Sequence, residues 1–123
     1  MNIEEAREAC LTIKGALEST PFGDDVLVYK VMDKMFAYVG LTRRDGYFLL
    51  NLKCDPEKAI ELRETYSDII PGYHSNKKYW NSIKLEGNVP GSVIKELIQH
   101  SVDEVIKKLP KIKQEEYRNL TEE

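Results

Sequence analysis

No apolar stretch in this chain runs beyond a few residues, far short of the roughly 20 that a spanning helix needs. Asn2-Ile3-Glu4-Glu5 at the amino terminus lacks the basic start and apolar core of a secretory signal. No membrane partnership is expected, and a cytoplasmic location is. Cysteine is scarce. Cys10 and Cys54 have no short spacing and sit among apolar residues, which argues against a disulfide framework and leaves two small buried hydrophobes. Cys54-Asp55 and His74 show no zinc-ligand spacing, so neither a metal nor a cofactor is expected. A Cys54–His74 nucleophile pair would lack a third, orienting group. Pro21-Phe22-Gly23-Asp24-Asp25 carries a single glycine and is no phosphate loop. Catalysis is therefore not expected. Excess positive charge is also missing: 18 Lys and Arg stand against 21 Asp and Glu, a net charge of -3. No global field draws in nucleic acid, and any anion must be met by a local patch.

With 32% charged and 41% hydrophobic residues in 123, the chain reads as one ordinary globular domain over 1–110 with a polar tail over 111–123. Asn2 with Glu5 forms a capping-box signature, and Ile3, Ala6, Cys10, Ile13 and Leu17 recur at helical spacing. That helix is expected to end near Glu18, before the turn residues Ser19-Thr20-Pro21-Phe22-Gly23. Strands are expected over Val26–Val31, Met35–Leu41 and Tyr47–Lys53, linked by short turns that force antiparallel pairing. Asp55-Pro56 starts a second helix to about Tyr66. Ile69-Ile70 and Tyr79–Leu85 read as two more strands. Ile94, Leu97, Ile98, Ser101, Val102, Val105, Ile106 and Leu109 give the last helix an unbroken stripe, supported by Asp103–Lys107 and Glu104–Lys108 pairs. Pro110 stops it, and the tail is expected to fray. The fold class is α+β: a two-layer sandwich, α-β-β-β-α-β-β-α, with a five-stranded antiparallel sheet and helices mainly on one face.

Strand side chains alternate between faces. Leu27, Tyr29 and Val31, then Phe48, Leu50 and Leu52, then Ile83 and Leu85 belong to the helix side. The other side collects Lys30, Tyr47, Asn51, Lys53, Lys78, Trp80, Ser82 and Lys84. Trp80 is the sole tryptophan, and from Gly72 to Lys84 there is no acid. Within that window stand His74, Asn76, Lys77, Lys78, Trp80 and Lys84. Lysines interleaved with aromatics suit phosphates plus stacked bases, and equally a dimer interface or peptide groove. Arg43 and Arg44, at a hairpin tip, are the second cationic feature. His74 with Tyr73 is a further place for a small ligand, though no surrounding constellation marks one.

Pro21-Phe22-Gly23, Val28-Tyr29-Lys30-Val31, Lys34-Met35-Phe36-Ala37, Leu52-Lys53-Cys54-Asp55-Pro56, Ile70-Pro71-Gly72-Tyr73-His74, Asn76-Lys77-Lys78, Trp80-Asn81, Leu97-Ile98 and His100-Ser101 together resemble the MmcQ/YjbR family. The resemblance covers the chain from the first helix to Pro110. It implies a secretion-chaperone-like fold and the DNA-binding, double-wing description that members commonly carry; it implies no catalytic residues. Two functions are thus expected. The first is a small cytosolic nucleic-acid-binding or regulatory protein, contacting DNA or RNA through Arg43, Arg44, His74, Asn76, Lys77, Lys78, Trp80 and Lys84, beside the face of Lys30, Tyr47, Asn51 and Lys53. The alternative is a protein-interaction module that binds itself or another protein.

Overall fold

The capping box forms. Asn2 Oδ1 accepts from the Glu5 N–H at 2.8 Å, and the Glu5 carboxylate accepts from the Asn2 N–H at 3.0 Å. In the computed structural model, which describes residues 1–120, the helix it opens (α1) spans Ile3–Leu11. It ends well before Glu18, because Gly15 at φ 74° takes the chain through a left-handed turn. Leu17–Ser19 then becomes strand β1. Glu18 explains the change. Its carboxylate accepts from Tyr29 Oη at 2.7 Å and from two Arg7 nitrogens at 3.0 and 3.2 Å, which fastens this segment beside the next strand. Leu17, read as part of the helix stripe, is 72% exposed.

The remaining elements are β2 (Val26–Val31), β3 (Lys34–Gly40), β4 (Leu49–Lys53), α2 (Pro56–Thr65), β5 (Ile69–Pro71), β6 (Trp80–Lys84), α3 (Gly91–Lys107) and α4 (Lys111–Arg118). The sheet is antiparallel in the order β1-β2-β3-β4-β6-β5, so it has six strands, not five. Met32 and Asp33, at φ 47° and 65°, make the tight β2–β3 turn, the left-handed pair that matches strand twist. The β3–β4 connection closes differently. Asp45 and Gly46, at φ 50° and 87°, join a bridge between Arg44 and Tyr47. This small hairpin delays β4 to Leu49.

One face of the sheet meets α1 and α3. Ile94, Leu97, Ile98, Val102 and Val105 pack on Leu27, Tyr29, Val31, Phe36, Leu50 and Ile83. A bulge between Tyr29 and Lys30 leaves Phe36 without a cross-strand partner and turns it into this core with Ala37. Ser101 straps helix to sheet: its Oγ accepts from the Lys53 N–H at 2.9 Å and donates to the Phe36 carbonyl. On α3, Glu104 pairs with Lys107 at 2.6 Å, not with Lys108, and Asp103 accepts from Gln99 at 3.0 Å.

Residues 111–118, expected as a fraying tail, form α4. Tyr117 packs against the core and its Oη donates to the Lys14 carbonyl at 2.9 Å. Gln114 Nε2 also donates to the Leu109 carbonyl at 2.8 Å and Lys14 Nζ to the Arg118 carbonyl at 3.4 Å, so the short helix is docked at both ends. The last three tail positions lie outside the described residues. Among the described residues no helix is long and apolar enough to cross a membrane.

Candidate functional site

The sheet face turned away from α3 carries a cross-strand row: Val28, Tyr38, Asn51, Ser82 and Ile70 stand opposite one another on β2, β3, β4, β6 and β5. Strand parity put Asn51 on an open polar face. Asn51 is instead 4% exposed and Ser82 fully buried. The covering material is the segment 72–79, which folds back over the row. The Tyr73 N–H donates to Ser82 Oγ at 2.9 Å, and Ser82 Oγ donates to Asn51 Oδ1. Asn51 Nδ2 donates to the Tyr38 and Leu49 carbonyls at 3.3 and 3.2 Å. Tyr38 Oη donates to the Tyr73 carbonyl at 2.6 Å. These polar side chains hold a loop in place, and a buried network of this kind is costly to break because each group has given up water.

Gly72 makes the fold-back possible. A β-carbon there would lie 2.7 Å from Trp80 Cβ and 2.9 Å from the Trp80 carbonyl, so only glycine permits so close an approach.

The acid-free block therefore has a different meaning from the one expected. Trp80 is 9% exposed and packs its indole against Tyr38, ring centres 5.6 Å apart. It lies on the expected face, but beneath the loop, and offers no free ring for a base. Lys77 Nζ turns back to the Gly72 carbonyl at 3.0 Å, and Asn76 Oδ1 accepts from the Lys78 N–H at 3.0 Å. Both fasten the loop. Lys84 faces Asp68 at 3.9 Å and the Tyr47 ring at 5.4 Å. Lys78 is left against the Tyr79 ring at 5.4 Å. Lys30 opposes Met35, and Lys53, at the end of β4 opposite Trp80, borders a separate cleft with Lys34 and Lys108. The amines are distributed, not gathered.

What the loop does create is a groove of about 480 Å³ between itself and the Arg43–Arg44 hairpin. Its floor is Val26, Met35, Tyr38 and Leu49, with Asn51 behind; its rim is Arg43, Arg44, Tyr73, His74 and Ser75. Of the expected residues, Arg43, Arg44, His74 and Asn51 meet here. The Arg44 guanidinium lies 3.8 Å over the Tyr73 ring, and Tyr73 and His74 sit with ring centres 4.0 Å apart. Arg43 rests on Phe48 at 4.4 Å and donates to the Gly46 carbonyl at 3.1 Å, which stiffens the hairpin. Among the described residues no Asp or Glu lines the groove. His74 has φ 61°, a left-handed conformation that costs a non-glycine residue about 1 kcal/mol or more. Phe22 stands at the mouth, 68% exposed. Tyr38, Met35 and Leu49 escaped the sequence reading, although alternation along β3 places Tyr38 on the Asn51 face once the register is known.

Burial raises the Tyr38 phenol above its usual value, and the adjacent Ser75 hydroxyl opposes part of that rise. Tyr38 is therefore a neutral hydrogen-bonding group at neutral pH. Elsewhere burial pushes Cys10 to about 12 and Cys54 to about 11, which leaves both thiols protonated and poor nucleophiles. Among the described residues no group of three or more His, Cys, Asp or Glu side chains is placed to hold a metal ion.

Fold and groove together define a small α+β sandwich with a pocket under a loop on the helix-free face of its sheet. The chain belongs to the YjbR family, whose model matches residues 11–103. It is 33% identical over 113 residues to the uncharacterised protein YjbR of Escherichia coli K12, covering 92% of this chain and 94% of that one. It is 32% identical over 115 residues to the uncharacterised protein YbdF of Escherichia coli O157:H7, covering 94% and 93%. A crystal structure of the Deinococcus radiodurans protein DR2400, described by the family domain DUF419, superposes with a TM-score of 0.84 at 38% identity, covering 94% of this chain and 87% of that one.

Proposed function

We propose that this is a cytoplasmic, non-catalytic binding module whose groove takes a small organic anion with a flat apolar body. The carrying observation is the lining: two arginines and a histidine and, among the described residues, no carboxylate, in a chain with three more acids than bases. An apolar floor with a few convergent polar groups, in a volume of this size, is the usual form of a small-molecule site. Arg44 stacked on Tyr73 supplies both a cation and a planar wall. The strained His74 beside it fits a backbone held for a purpose other than stability.

The test uses Trp80, whose indole packs on Tyr38 in the groove floor. Adenosine monophosphate and a naphthalene sulfonate serve as probes. Either should change Trp80 emission on binding, and Arg44→Ala should weaken binding about tenfold or more. Unchanged affinity in Arg44→Ala, or no response to either probe at millimolar concentration, refutes the reading.

Nucleic-acid binding is the second reading. The observation in its favour is that Lys78 and Lys108 both approach the Tyr79 ring, at 5.4 and 4.7 Å, outside the covered face. Anisotropy titrations at two salt concentrations test it, with a log–log slope of about -0.9 per phosphate contact expected. The absence of any binding at low salt removes it.

A further inference from the structure

A second basic feature lies at the far end of the groove's floor. Met35 borders both places. Lys34 opens β3, Lys53 closes β4 and Lys108 caps the carboxyl end of α3. These three lysines, with Met35, Val105 and Leu109, line one cleft of about 360 Å³, and among the described residues no Asp or Glu lines it. The helix dipole accounts for a lysine at the end of α3. It does not account for Lys34 and Lys53, which arrive from the sheet.

We propose that this cleft is a binding site for a phosphoryl oxyanion carrying more than one negative charge, such as a diphosphate. Three cations brought together by different elements repel one another, and a bound polyanion reverses the sign of that interaction. Lys53 shows the repulsion: partial burial, then the charge of Lys108, then that of Lys34 lower its pKa, with Glu104 acting in the opposite direction. Glu104 is the acid whose field reaches Lys53, and its carboxylate is held by Lys107 at 2.6 Å. Lys53 is fixed at its backbone, where its N–H donates to Ser101 Oγ, so its side chain starts from a set place beside α3. Lysines bind phosphate as point charges, without the planar match arginine requires. The Tyr79 ring under Lys108 supplies a firm flank.

The shared chemistry is the phosphoryl group; its source is either a free di- or triphosphate or the phosphodiester backbone of a nucleic acid. Isothermal titration with inorganic pyrophosphate at low salt, paired with anisotropy on a short duplex of random sequence, separates them. Lys53→Gln and Lys108→Gln should each weaken pyrophosphate binding about tenfold. Lys95→Gln, on the exposed side of α3, should leave it unchanged. Lys108 is exposed at a helix end, so its variant tests the site even if Lys53→Gln fails to fold. Pyrophosphate binding without duplex binding assigns the free anion. Duplex binding alone, lost in Lys108→Gln but kept in Lys95→Gln, assigns the backbone. Binding of neither, or equal loss in Lys95→Gln, overturns the proposal.

Discussion

Ser82→Ala tests how the groove is built. Ser82 Oγ is the middle link between the covering loop and the sheet: it accepts from the Tyr73 N–H and donates to Asn51 Oδ1. The side chain is fully buried and Asn51 is 4% exposed, so neither partner regains water while the fold persists. Stranding a buried acceptor costs about 1–3 kcal/mol, and the half-buried Tyr73 amide adds about 1, giving roughly 2–4 kcal/mol in total. Against the usual total of about 5–15 kcal/mol for a domain of this size, that is a large fraction. Trp80 is the sole tryptophan and lies under the loop, so urea unfolding followed by its fluorescence reports the change in midpoint. Asn51→Ala and the double variant complete a cycle, in which a coupling of about 1–2 kcal/mol is expected. Hydrogen exchange at the Tyr73 amide should quicken in Ser82→Ala. A loss below about 0.5 kcal/mol with an unchanged Tyr73 amide would show that the loop is held by other contacts and that the buried row is incidental.

Acid should weaken the fold through His100. Its Nε2 accepts from the Asp55 N–H, the backbone of the α2 cap, at 3.2 Å. Burial first, and then Lys58, lower its pKa below 6.5, while Glu104, Asp55 and Asp103 oppose the shift. The unfolded chain therefore binds the proton more readily. The stabilisation is present above about 6.5 and disappears as the pH falls through the folded value. The melting temperature should drop between pH 7 and 5, and His100→Gln should flatten that slope; equal slopes in the two proteins refute the assignment. Both thiols should resist a disulfide reagent at neutral pH, because Cys10 and Cys54 are buried and shifted upward. Prompt reaction of either in the native protein, at the rate seen in denaturant, contradicts this.

Alternation along β2, β4 and β6 told correctly which side chains share a face, because a two-residue period is a local property of extended backbone. It could not tell what covers a face. Asn51 and Ser82 are polar, and polarity in a strand ordinarily marks solvent; here it marks a loop whose backbone needs partners. The same limit applies at both ends of the chain. Leu17 fits a helical spacing, yet Gly15 and the Arg7–Glu18–Tyr29 contacts decide for a strand, and such contacts join elements distant in sequence. α4 rests on Tyr117 meeting Lys14, more than a hundred residues away.

The acid-free block joins what was legible to what was not. It was visible from composition, but its lysines and amides were read as facing outward to a ligand. Gly72 carries the decisive information, since its lack of a side chain lets the chain press against Trp80. Once the loop is pressed down, Lys77 Nζ donates to the Gly72 carbonyl and Asn76 Oδ1 accepts from the Lys78 N–H, and a carboxylate at position 77 would face a carbonyl in place of a donor. The block closes on itself, and the groove it leaves behind takes its charge from Arg43 and Arg44 instead. The acid-free segment and the cationic groove thus share Tyr73, His74 and Ser75, while the segment's lysines stay outside the groove.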